Sequence, residues 1–268
     1  MKFSFSTLGC PGWSWKVIFS SAKDIGMDGI EIRCIGNELY APACQEFNEN
    51  NLGKTMEMLS GAGMSIPVFD SNAVLGMADN ARSGLAEAKE YIDLAAKTGT
   101  GYVRVMCVGV PQPVECDLEL CLKLYSELCE YGKEKGVQPL METNGPLGST
   151  EAMMCFMERV PSENKGVLWD IHHPYRYFGE SPEVSFGRIA PLLRHVHVKD
   201  SMLVDGKVSY KLLGKGDVPV KETLLLLKSK EYDGFVSLEW VKKWNPELEE
   251  AGIVLPQFAN YVRRIVEA

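Results

Sequence analysis

Positive charge and histidine are both scarce in this chain. Its 268 residues carry 28 Lys and Arg against 36 Asp and Glu, a formal charge of −8, and only four histidines. The deficit excludes an extended electrostatic surface for nucleic-acid phosphates or anionic membranes, although a locally basic pocket remains compatible with it. The eight cysteines include no C-x-x-C pair and are spread over a full-sized domain, so they read as reduced packing thiols rather than a disulfide framework. Nowhere do eighteen apolar residues run together, and the opening MKFSFSTLGCPGWSW has no continuous apolar stretch. Neither a membrane span nor a secretory signal is therefore expected, and the cytoplasm is the expected compartment. No G-x-G-x-x-G follows the first strand-like run, which argues against a dinucleotide-binding sheet, and there is no Walker lysine motif.

What is present is an ordinary globular composition, 46% hydrophobic, 24% charged and 9% aromatic. Short apolar or alternating runs recur, each followed by a segment of helical periodicity. The strands are expected at Phe3–Leu8, Gly29–Arg33, Ser65–Phe69, Tyr102–Cys107, Val137–Glu142, Gly166–Asp170, His195–Lys199 and Phe235–Trp240. Helices are expected near 15–25, 51–62, 81–98, 117–135, 149–159, 183–192, 219–229 and 247–267. Glycines close several of them just before the next strand, as in AAKTGTGYV and YGKEKGVQP, where a left-handed residue is needed to end a helix. Eight strand-then-helix units without a Pro/Ser-rich linker predict one domain over 1–268, a single (β/α)8 TIM barrel.

Such a barrel builds its active site from the C-terminal ends of its strands. Four ends carry metal-capable groups: Glu142 in LMETN, Asp170 in VLWDIHH, His197 in RHVHVKD and Glu239 in VSLEW. Strand alternation is consistent with all four facing inward together. Three carboxylates brought together repel one another unless a cation neutralises them. Three oxygens and one imidazole suit manganese, magnesium or cobalt better than a soft-metal site. Taken alone, any one acidic strand end reads as readily as a helix cap or a solvated loop group, and His195, two positions deeper than His197, reads as a core histidine.

The motifs METN, WDIHHP, HVHVKD, LLGKGDVP and SLEW resemble the xylose isomerase-like sugar phosphate isomerase/epimerase superfamily along nearly the whole chain. The resemblance implies one divalent metal ion, manganese first with magnesium, cobalt or zinc as alternatives, held by Glu142, Asp170, His197 and Glu239. It further implies an isomerase or epimerase of a keto-sugar or sugar phosphate. There Glu142 and Glu239 act as acid–base groups: one removes the proton α to a metal-polarised carbonyl, and the other returns it. A β-leaving group on the substrate would turn the same site into a lyase or dehydratase. A barrel subunit without catalysis is a further reading, which the paired glutamates oppose. The endonuclease branch needs more histidines than four.

The family also has a histidine three residues after the strand-six aspartate, which matches His173 as a catalytic or substrate-binding group; plain alternation would select His172. Lys199 shares the register of His197 and is read either as a ligand for a substrate oxyanion or as the partner of a metal-site carboxylate or Asp200. A Schiff-base role for Lys199 is a separate alternative. Trp13 and Trp15 follow the first strand and could stack on a sugar ring or pack between helix and barrel, while Trp240 and Trp244 lie near the end of the last strand and Trp169 reads as packing. Glu31 and Arg33 end strand two in one register and either pair with each other or reach the substrate. The Gly214–Lys215–Gly216 loop could hold a phosphate, but Asp217 as a helix cap with Pro219 explains it better. Related keto-sugar epimerases place an arginine six residues after the strand-seven histidine; this chain has Leu203 there. The expected partner is a small carbohydrate, with no nucleic acid and no membrane, and the exposed barrel rim is compatible with a homo-oligomer.

Overall fold

The computed structural model describes residues 1–267. Eight parallel strands form the barrel: β1 (Lys2–Ser6), β2 (Gly29–Glu31), β3 (Phe69–Val74), β4 (Tyr102–Met106), β5 (Gln138–Glu142), β6 (Gly166–Asp170), β7 (Leu193–Val198) and β10 (Phe235–Leu238). Their order is β2-β1-β10-β7-β6-β5-β4-β3, and parallel bridges Gly29–Ser65 and Ile32–Phe69 close the ring between its two ends. Helices α1 (Trp15–Asp24), α2 (Leu52–Gly61), α3 (Ala81–Thr98), α4 (Leu118–Lys135), α5 (Thr150–Arg159), α6 (His172–Phe178), α7 (Pro182–Ile189), α8 (Val220–Ser229) and α9 (Ala251–Val266) lie between and after the strands. Both faces of the strands are covered, so β6 is buried at all five positions, as a parallel strand under helices must be.

Local chemistry sets the boundaries. Gly99 and Gly136 end α3 and α4 at φ 71°, the left-handed cap expected of them. Asp117 caps α4 by accepting the Leu120 N–H at 2.8 Å, and Ser149 and Ser181 cap α5 and α7 in the same way. Among the described residues no helix is long and apolar enough to cross a membrane, and the eight cysteines are free.

Three elements differ from the sequence expectation. The third strand begins where Ser65–Phe69 was expected to end. Pro67 has no N–H to give to the ladder, so within residues 65–68 only Ser65 forms a bridge, and regular pairing starts at Phe69. The polar run Asp70-Ser71-Asn72 is strand all the same. An antiparallel hairpin, β8 (Asp200–Val204) and β9 (Lys207–Lys211), follows β7 without a counterpart in the expected set. Its turn is Asp205-Gly206 with φ of 49° and 75°, the two-residue Asp-Gly signal that the sequence displays openly. Finally, α6 starts directly behind β6, because Ile171 has already turned helical.

Candidate active site

The barrel register brings the four strand-end groups into one place. Glu142 and Asp170 are the last residues of β5 and β6, His197 is the penultimate residue of β7 opposite Asp170, and Glu239 follows β10. All four are buried, and one ligand-capable atom from each lies within 4.8 Å of the others. His197 leaves one ring nitrogen free: its Nε2 faces Glu31 Oε2 at 3.1 Å, while its buried Nδ1 has no hydrogen-bond partner and lies 3.7 Å from Glu239 Oε1. An unpaired buried nitrogen amid three carboxylates is the donor set that a hard-to-borderline divalent cation takes, so these residues fit such an ion.

Two cations of the chain already brace the carboxylates. Arg104 donates from Nη1 to Glu142 Oε2 at 3.1 Å and approaches Asp70 from Nε at 3.5 Å. The Lys199 ammonium bridges Asp170 and Glu239. Burial opposes the charge on Lys199, but Asp170 and Glu239 outweigh it and hold the ammonium well above its usual pKa. A lysine held protonated between two carboxylates is a poor Schiff-base nucleophile, so the geometry favours a bridging role over that alternative. Burial also raises Glu239, yet Lys199, His197 and Arg104 bring it down to about 2. For His197, burial is outweighed by Glu31 and Glu239, which raise it to about 10.

Beneath the cluster lies a buried polar network. Glu31, fully buried, accepts from His195 Nε2 at 2.7 Å as well as from His197, so it pairs with the two histidines and not with Arg33. His195 is thus a core histidine with a carboxylate partner, and burial pulls its pKa down. Asp70, next to Glu31, has its carboxyl pushed well above the usual range by burial and by that neighbouring charge. Sequence reasoning missed Asp70 and Arg104. Arg104 left a signal, a charge in the middle of the apolar strand YVRVM; Asp70 lay just outside the expected third strand.

The two adjacent histidines part company. His172 is fully buried, with its Nε2 2.8 Å from Ser201 Oγ, and burial lowers its pKa well below the usual value. His173 lines the cavity; its Nδ1 lies 2.8 Å from the Thr143 carbonyl oxygen, and its Nε2 is 3.4 Å from Asp170 Oδ2. Alternation fails here because the helix has begun at Ile171. Trp13 and Trp15 are outside the cavity wall: α1 turns Trp15 into the helix–barrel layer against Phe19, and Trp13 packs on the same core. Trp244 lines the cavity instead. Trp169 packs against Phe186 of α7.

The glycine loop is already provided with an anion. Asp200 accepts from the backbone N–H groups of Gly214, Gly216 and Val218 at 2.9, 2.9 and 3.2 Å. Asp217 does not cap α8, whose cap position is Pro219; its carboxylate pairs with Arg176. The cavity above the cluster measures about 920 Å³, and β8–β9 forms one wall through Leu203, Lys207 and Tyr210. Leu203 supplies no cation there, but Arg176 reaches the same cavity from α6.

A family model described as "Xylose isomerase-like TIM barrel" matches residues 19–255. Fructoselysine 3-epimerase of Shigella flexneri is 26% identical over 262 residues, covering 92% of each chain. Among solved structures, D-psicose 3-epimerase from Clostridium cellulolyticum H10, crystallised with D-tagatose, superposes with a TM-score of 0.77 at 16% identity over all of both chains. A xylose isomerase-like TIM barrel protein from Mycobacterium smegmatis, in complex with magnesium, gives 0.75 at 16% identity, covering 99% of this chain and 96% of that one.

Proposed function

This chain belongs to the xylose isomerase-like TIM barrel family, and from that premise we propose that it is a divalent-metal-dependent epimerase or isomerase of a keto-sugar. The observation that carries the reading is the convergence of Glu142, Asp170, His197 and Glu239, buried at one end of the barrel below a cavity of sugar-accommodating size. Those four residues would hold the ion, manganese, magnesium, cobalt or zinc. When bound, it would supply Lewis-acid polarisation of a carbonyl oxygen, making the neighbouring C–H acidic. Glu142 and Glu239 come from β5 and from the end of β10, with β6 and β7 between them, so they flank whatever lies over the cluster. Arg104 and Lys199 fix their orientations. One glutamate removes the α proton and the other returns one to the opposite face or to the adjacent carbon. His173, tethered at Nδ1 by the Thr143 carbonyl, offers Nε2 to a substrate hydroxyl. Lys199, bridging Asp170 and Glu239, holds both carboxylates in place. The similarity to fructoselysine 3-epimerase favours epimerisation. The same reading puts the protein in the cytoplasm, where its thiols stay reduced.

The test is deuterium incorporation from D2O into a panel of ketoses by the metal-loaded protein, read by NMR and mass spectrometry. Exchange at an α-carbon with appearance of the epimer is expected, reduced about 10²–10⁴-fold in Glu142→Gln and Glu239→Gln. Absence of exchange with every ketose overturns the proposal, and loss of water from a ketose replaces it with a lyase.

A further inference from the structure

We propose that Arg33 anchors an anionic substituent, a phosphate or a carboxylate, on the substrate, so that the ketose this site accepts is an anionic one; the inference rests on the ketose reading above. Arg33 lies just beyond β2, lines the cavity and is only 4% exposed. Its Nη2 donates to the neutral Asn72 Oδ1, and its buried Nη1 has no partner. Among the described residues no carboxylate lies within salt-bridge distance of it.

The contrast with its neighbours is the point. The other well-buried cations of the wall are each matched: Arg104 with Glu142, Lys199 with Asp170 and Glu239, and Arg176 with Asp217. A guanidinium does not escape burial by losing its proton. An unmatched one within a protein wall is costly unless a ligand completes it. Burial and the nearby charge of Arg104 act against its charged form, and Asp70, beyond salt-bridge distance, offsets them only in part. An incoming oxyanion relieves both penalties, and the fork geometry suits two parallel N–H···O bonds.

The group is also held ready. Thr7 Oγ1 accepts the backbone N–H groups of Arg33 and Cys34, each at 2.9 Å, and Glu87 fixes Asn72 by accepting its N–H at 2.6 Å. The Trp244 ring, half exposed at the rim, lies 5.6 Å from the guanidinium carbon. In the ring of strands β2 stands opposite β6, and Arg33 lines the same cavity as Glu142 and Glu239. A ketose whose reacting carbons lie over the cluster would extend its far end toward Arg33. The 920 Å³ cavity is at the upper end of the roughly 300–1,000 Å³ typical of ligand sites, with room for a substituent beyond the sugar.

The experiment is isothermal titration calorimetry of the metal-loaded wild-type protein with matched ligands: D-fructose against D-fructose 6-phosphate, and an amine-linked fructose with and without a carboxylate. At least one anionic member is expected to bind tighter than its neutral partner by about ten- to a hundredfold, the size of a hydrogen bond to a charged group; the pair that shows the preference identifies phosphate or carboxylate. The preference should collapse in Arg33→Gln and survive in part in Arg33→Lys. Equal binding of both members of both pairs by the wild-type protein overturns the inference, whether or not the variants fold, and so does a preference left intact in a folded Arg33→Gln. If no ketose binds but inorganic phosphate or acetate does, and Arg33→Gln abolishes that, the ketose reading fails while the anion anchor stands.

Discussion

Glu31 shows how much a single buried side chain decides. With Nε2 of His197 against Glu31, the ring has one orientation and its Nδ1 is left for a ligand. Carboxylate partners of metal-binding histidines commonly govern affinity because they set tautomer and orientation. Glu31→Gln is therefore expected to weaken Mn²⁺ binding by about 10–100-fold, measured by calorimetry or by competition with a chelating dye, with the barrel still folded. Unchanged affinity would remove Glu31 from the metal site. His195 sits on the same carboxylate, so the histidine that reads as plain core is part of the support for the one that reads as a ligand.

Among the elements, the β8–β9 hairpin matters most, because it walls the cavity and leads into the glycine loop before α8. What ties hairpin and loop together is Asp200. Its carboxylate holds three loop N–H groups, so the glycines serve a side chain of the protein and not a phosphate. Asp200→Ala would leave these donors unpaired, at about 1–3 kcal/mol for each that stays buried. Faster hydrogen exchange across 212–218 is expected, with the amides of β5 and β6 unaffected; undisturbed loop amides would contradict the assignment. Both the hairpin and the late start of β3 had local signals, Asp205-Gly206 and Pro67. They were hard to weigh because a strand walling a cavity or carrying Asp70 need not alternate apolar and polar residues.

For the molecule as a whole, the closed ring turns eight separate strand ends into one surface, so a cation held by Glu142, Asp170, His197 and Glu239 would link β5, β6, β7 and β10. Ligand that binds only the folded state stabilises it by about 2.7 kcal/mol at a hundred times its Kd. Adding Mn²⁺ to chelator-treated protein should therefore raise Tm by several degrees, and Asp170→Asn should erase most of that rise; scanning calorimetry of both proteins with and without metal decides it. The sequence by itself determined the (β/α)8 architecture, the helix ends at Gly99 and Gly136, and the nomination of Glu142, Asp170, His197 and Glu239, because periodicity, capping and strand-end polarity are local properties. Only the tertiary structure decided that those four meet, that His173 and not His172 faces the cavity, that Trp244 lines it where Trp13 and Trp15 do not, and that Arg33 stands there without a counter-charge. These depend on which side chains from distant segments share one buried volume, and the pairing of charges in such a volume is set by barrel closure, which no local pattern encodes.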